Sequence, residues 1–74
     1  MNNVNTNLEI TVNGEPRAAR PGATIVDLLR DLGLDSGRVA IERNLQILPR
    51  ANWAATQVAS GDCYEIVHLV GGGD

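Results

Sequence analysis

Lysine and phenylalanine are missing from this chain, and cysteine, histidine, tryptophan and tyrosine each occur once. Each absence excludes something. One cysteine cannot close an internal disulfide or ligate an iron–sulfur cluster, and one cysteine with one histidine cannot complete a structural zinc site. All six basic residues are arginines, set against nine acids for a formal net charge of -3. Phosphate binding needs a clustered basic surface, so nucleic acid is not an expected partner, and a protein with a basic face fits better. No apolar run approaches the roughly 18 residues of a membrane-spanning helix, so no membrane role is expected. The opening MNNVNTN lacks the basic and apolar regions of a signal peptide, which leaves the cytoplasm as the expected location. With two aromatic residues in all, the core has to be aliphatic.

What is present suits one small domain. The chain has 74 residues, 43% of them hydrophobic, near the lower end of what folds without covalent staples. Residues 1–7 read as a polar, mobile lead-in, 8–70 as a single domain and 71–74 as a flexible glycine tail. Leu8, Ile10 and Val12 alternate with Glu9 and Thr11, the period of a half-buried strand. Asn13-Gly14 supplies the two positive φ values of a tight hairpin turn, and a weaker return strand runs from about Glu15 to Ala19. Pro16 suits an edge position there.

The helix is the clearest element. Thr24 is a good N-cap with Asp27 three residues on, and Ile25, Leu28, Leu29 and Leu32 form one apolar stripe. Asp27, Arg30 and Asp31 face away from it, and Gly33-Leu34 fits a Schellman ending. At about two turns the helix is too short to stand alone and must pack on a sheet. Ser36-Gly37 opens a strand over Arg38 to Glu42, Arg43-Asn44 turns the chain, and Gln46 to Leu48 is a short continuation halted by Pro49. Residues 50–58 read as irregular or one-turn material, and Ser60-Gly61-Asp62 as a turn. Cys63 to Val70 is apolar on both faces, which argues for a central strand beside the first one. Glu65 turns Tyr64, Ile66 and Val70 inward, yet His68 shares their face and Val67 and Leu69 do not, so the core face of this strand stays open. The order gives an α+β, β-grasp (ubiquitin-like) fold, a mixed sheet of four to five strands packed on one main helix.

The last strand runs straight into Gly71-Gly72-Gly73-Asp74. A strand of glycines can enter a channel that any Cβ would block. Three such residues reach about 10 Å, far enough to carry a carboxylate into a partner's active site while the body stays outside. Ordering them costs roughly 3–6 kcal/mol, so the folded face must supply the docking energy. No side chains here form a catalytic set, since Cys63 and His68 fall on opposite faces of one strand. Whatever activates the carboxylate has to belong to another protein.

The segments ITVNGE, PGATIVDLL, LPRANWA and GDCYEIVHLVGGG, in this order and spacing, resemble the ThiS family of sulfur carriers in thiamine biosynthesis. The resemblance runs from Leu8 to Gly73. It implies a protein cosubstrate, not an enzyme, with no bound cofactor. In such carriers an E1-like, ThiF-like adenylyltransferase uses ATP to activate the last glycine, and a sulfur donor converts it to a thiocarboxylate. A ThiG-like thiazole synthase then takes the sulfur. Carried over, Gly73 is the adenylated, sulfur-carrying residue, and Gly71 and Gly72 are the part that threads into the partner. Related carriers serve molybdopterin synthesis, tRNA thiolation or other metabolites, and a non-catalytic ubiquitin-like binding module or modifier is the alternative from another class. The molybdopterin carriers usually have a proline-containing stretch before the diglycine, which IVHLVG lacks.

Asp74 departs from the pattern, because such carriers normally end on the second glycine. Three readings stand side by side: a protease removes Asp74, the residue is an addition or variant, or the chain has given up carrier chemistry for binding alone. Among the other singular residues, Cys63 reads as a partly buried, unactivated thiol and His68 as a sheet-surface residue at or near the docking face. Trp53 reads as packing and Arg50, after Pro49, as a weak candidate for a partner contact. The arginines otherwise read as a solvated surface.

Overall fold

The computed structural model describes residues 7–69. Strands β1 (Leu8–Val12) and β2 (Glu15–Ala19) form a hairpin, followed by helix α1 (Ile25–Asp31). A 3-10 turn at Ser36–Arg38 leads into β3 (Val39–Arg43) and the two-residue β4 (Gln46–Ile47), and a second 3-10 helix spans Arg50–Ala55. The last strand is β5 (Cys63–His68). The sheet order is β2-β1-β5-β3-β4, with β1 and β5 parallel and the other pairs antiparallel. First and last strands therefore lie side by side in the middle, and the mixed five-stranded sheet on one main helix is the β-grasp expected from the element order.

Local chemistry accounts for the helix ends. The Thr24 side chain accepts from the Asp27 N–H, and the Asp27 carboxylate accepts from the Thr24 N–H, a complete capping box. These bonds, led by the one to the Thr24 backbone, hold the Asp27 carboxyl below its ordinary pKa. At the other end Gly33 takes φ +76, and its N–H and that of Leu34 bond the carbonyls of Arg30 and Leu29. That is the Schellman closure. The Ile25 N–H is further bonded by the Thr56 carbonyl, and the Val58 N–H by the Ala23 carbonyl, so the segment after the second 3-10 helix pins the start of α1.

Ile25, Leu28 and Leu29 are buried against Ile10, Val12, Val39, Ile41, Tyr64 and Ile66 of the sheet. Burial of each such side chain contributes about 1.5–3 kcal/mol. The core is mostly aliphatic, but both aromatic residues sit in it: Tyr64 is fully buried and Trp53 nearly so. Trp53 donates its indole N–H to the Leu48 carbonyl at 2.9 Å, which lets a polar ring lie inside. It is a packing residue, as its setting in the sequence suggested.

Several local expectations change. Ser36-Gly37 belongs to a 3-10 turn, because the Asp35 carboxylate accepts from the Gly37 N–H and bends the chain before it can extend. The tight turn after β3 is Asn44-Leu45, both at positive φ, one residue later than Arg43-Asn44. Among the described residues no helix is long and apolar enough to cross a membrane.

Candidate functional site

Gly71, Gly72, Gly73 and Asp74, with Val70, lie outside the described residues. The described part of the site is the strand that delivers them, β5, and the surface around it.

β5 has a closed face and an open one. Tyr64 and Ile66 point at the helix and are buried, while Cys63, Glu65 and Val67 point the other way and are exposed. This settles the direction the sequence left open. The strand is central, as its apolar character suggested, but its second apolar face is not covered: Val67 is 55% and Leu69 49% exposed. On the same side, Ala40 lies opposite Val67, and Glu42 lies opposite both Glu65 and Ile47. With Glu9 of β1, this open face combines exposed apolar groups and three carboxylates, Glu9, Glu42 and Glu65. It fits a partner surface with an apolar centre and a basic rim.

The entry to β5 is held by a buried carboxylate. Asp62 is 5% exposed, and its Oδ2 accepts from Arg43 Nε at 3.0 Å, the Tyr64 hydroxyl at 2.7 Å and the Ala59 N–H at 2.8 Å. Its Oδ1 accepts from Asn44 Nδ2 at 3.1 Å. Burial resists ionisation of Asp62, but the bonds from Ala59, Tyr64, Asn44 and Arg43 outweigh it and keep the carboxyl below its ordinary range. Burial, helped by the neighbouring carboxylate, drives the Tyr64 phenol well above its own. The bond to Asp62 raises that of Arg43 as well. All these groups are charged or protonated in the form that binds best at neutral pH, so the cluster is structural. Sequence reasoning saw only a turn at Asp62 and a solvated arginine at position 43. The cluster is assembled by β3–β5 pairing, which no local pattern announces.

Two asparagines clamp β5 from its two sides. The Asn13 side chain donates to the Ile66 carbonyl at 3.0 Å and accepts from the Ile66 N–H at 2.8 Å, while the Asn13 N–H bonds the Tyr64 carbonyl. Its amide extends the β1–β5 ladder after β1 itself has ended. The Asn44 side chain accepts from the Cys63 N–H at 2.9 Å, and the Asn44 N–H bonds the Cys63 carbonyl. Beyond these, the Leu69 N–H still bonds the Arg38 carbonyl. The strand is thus tied to its neighbours up to the last described residue.

The remaining singular residues are not brought together. Cys63 is exposed on the open face, more than the partly buried thiol expected, and its thiol lies 3.9 Å from the Gly61 carbonyl. His68 is exposed on the helix side of the sheet, beside Leu32 and Leu34, not on the open face. Arg50 turns inward on its own chain: its guanidinium lies 4.6 Å over the Trp53 ring and donates to the carbonyls of Ser36 and Val39. Stacking and hydrogen bonding occupy the group that seemed free for a partner.

Comparison with known proteins agrees with this architecture. The model of the ThiS family matches residues 10–73. The chain is 44% identical over 66 residues to a thiazole synthase of Paramagnetospirillum magneticum, a match covering 89% of this chain and 20% of that protein. It therefore spans about a fifth of the length of the curated thiazole synthases it matches. It is 40% identical over 50 residues to the sulfur carrier protein ThiS of Bacillus subtilis, covering 68% of this chain and 76% of that one. The crystal structure of thiamine biosynthesis protein ThiS from Geobacter metallireducens superposes with a TM-score of 0.73 at 34% identity, covering 89% of this chain and all of that one. A capped helix on a β-grasp sheet, a central last strand followed in sequence by glycines, and a family match over that whole span make one conclusion: this chain belongs to the ThiS family.

Proposed function

We propose that the chain carries sulfur for thiazole formation on the carboxylate of Gly73. The observation that supports this most directly is a firmly anchored central strand running, within two residues of its last described bond, into three consecutive glycines. In this reading an E1-like, ThiF-like enzyme lets the carboxylate attack the α-phosphorus of ATP, with loss of pyrophosphate. A sulfide-equivalent donor then attacks the acyl carbon, AMP leaves, and a thiocarboxylate remains. The thiocarboxylate gives its sulfur to a ThiG-like thiazole synthase, and Asp74 has to be removed before Gly73 can be charged.

The body contributes position, not chemistry. Its open face, apolar around Val67 and Leu69 and acidic at Glu42 and Glu65, supplies docking energy against the cost of ordering the glycines. Cys63 and His68, on opposite faces of β5, take no part in the reaction.

Intact-mass measurement tests the reading. The chain ending at Gly73, incubated with an E1-like enzyme, ATP and a sulfur donor, is expected to gain the mass of one oxygen replaced by one sulfur. The chain ending at Asp74 is expected to remain unchanged until trimmed. Gly72→Leu in the trimmed form should slow loading on the order of a hundredfold, because a side chain in the channel displaces the reacting carboxylate. Undiminished loading of that variant would remove the threading tail from the mechanism. A non-catalytic module would instead dock its partner equally well with and without the tail.

A further inference from the structure

We infer that the edge of β5 at His68, whose N–H and C=O bond none of the described residues, receives an extended strand of the thiazole synthase, pairing backbone to backbone. The inference rests on the sulfur-carrier reading above, and the pattern of the ladder carries it. β1 pairs with β5 at Thr11 opposite Cys63 and Val12 opposite Tyr64, and the Asn13 amide then serves Ile66. On this side of β5 the even-numbered residues present their N–H and C=O groups, as the bonds at Tyr64 and Ile66 show. His68 comes next, beyond the end of β1. Its neighbours Val67 and Leu69 face the other way, toward Ala40 and Arg38 of the β3 side. One donor and one acceptor thus stand at the edge of a sheet that is otherwise continued by an asparagine side chain.

The space beside that edge suits a strand. A groove of about 290 Å³ lies between the end of the first hairpin, the end of α1 and β5. Its wall is mixed and more polar than apolar: Leu32 and Leu34 are its open apolar residues, Val12 and Ile66 being buried, and Asn13, His68 and the Glu15–Arg17 ion pair, 3.9 Å apart, supply the polar part. A strand laid along β5 here would alternate its side chains, one toward Leu32 and Leu34 and the next over the open face. The occupant is therefore an extended segment whose groove-side residue meets Leu32 and Leu34 within a mostly polar wall. The thiazole synthase is favoured as its source because two relatives of that name hold a stretch similar to this domain within one longer chain.

The unique cysteine is the first residue of β5, so a synthetic segment 63–73 can be ligated onto residues 1–62. Replacing the His68 N–H by an ester oxygen deletes the edge donor and leaves every side chain in place, at the cost of a weaker Val67 carbonyl acceptor on the β3 side. Binding to a stand-alone thiazole synthase is then compared with that of the all-amide chain. The ester is expected to weaken binding roughly threefold to tenfold, while the unfolding midpoint falls only by the small amount that a weaker Val67 carbonyl costs opposite Ala40. An ester at Val67, whose N–H faces β3, should instead lower the unfolding midpoint. Equal binding by the ester and all-amide chains overturns the strand pairing and leaves the carrier reading intact. A midpoint lowered as far as in the Val67 ester overturns it too, because the His68 N–H would then be at work within the fold. If neither chain binds the synthase, the partner reading itself falls and takes the pairing with it.

Discussion

The two hairpin turns of this sheet use the same device with different residues. After β1 the chain turns on Asn13 at φ 52 and Gly14 at φ 83, and after β3 on Asn44 at φ 52 and Leu45 at φ 72. In both, the first residue is an asparagine whose side chain bonds the backbone of β5. The second positions differ. Glycine adopts positive φ at no steric cost, whereas leucine crowds its own backbone there, at about 1–2 kcal/mol. Leu45 receives nothing back from packing, being 90% exposed. The second turn holds because Asn44 is fastened at both ends of its amide, to Cys63 and to the Asp62 carboxylate. Strain at one residue is sustained by a buried cluster beside it.

Removing that cluster should have the largest effect. Asp62→Ala leaves Arg43, Tyr64 and Asn44 without their shared acceptor and should cost about 3 kcal/mol, measured by denaturant unfolding. The same group sets an acid limit. A carboxyl whose pKa is lowered in the folded state lends its stability fully above the unfolded value, near 3.8, and loses it as pH falls toward the lower folded value. Stability is therefore expected to be flat from neutral pH to about 5 and to decline below 4, more steeply in the parent than in Asp62→Ala.

Next in size come the asparagines. Asn13→Ala and Asn44→Ala each lose two side-chain hydrogen bonds and gain strain at positive φ, together about 2 kcal/mol. Glycine at either position removes the strain and leaves the bonding loss alone. The difference between the Ala and Gly variants thus separates the two contributions. If Asn13→Gly matches the parent in stability, the ladder extension at Ile66 contributes nothing.

Smallest, and opposite in sign, is Leu45→Gly, expected to stabilise the fold by roughly 0.5–1 kcal/mol as the crowding is relieved. A loss of stability instead would show that Leu45 is held by contacts. The variant also separates folding from docking: weaker binding of a partner by a more stable protein would mark Leu45 as a surface kept for contact.

The C-terminal strand was partly legible in advance. HLVGGGD announces a strand followed by residues without side chains, because glycine's freedom is a property of the residue itself; the described residues bear out the strand, whose pairing reaches Leu69. The face of β5 was not legible, since Tyr64, Ile66 and His68 alternate with Val67 and Leu69 of similar apolar weight on the other side. Only the position of α1, over Tyr64 and Ile66, decides which set is covered.

The same division runs through the whole chain. The sequence by itself determined the hairpin, the capping box at Thr24 and Asp27, the Schellman ending at Gly33 and the place of β5 beside β1. Each depends on neighbours within a few residues or on total apolar content. Tertiary structure alone decided the Asp62 cluster, the clamps of Asn13 and Asn44, the inward turn of Arg50 and the position of His68 beyond the end of β1. Those depend on groups as far as 53 positions apart, which meet because strand register, not local spacing, sets their distance.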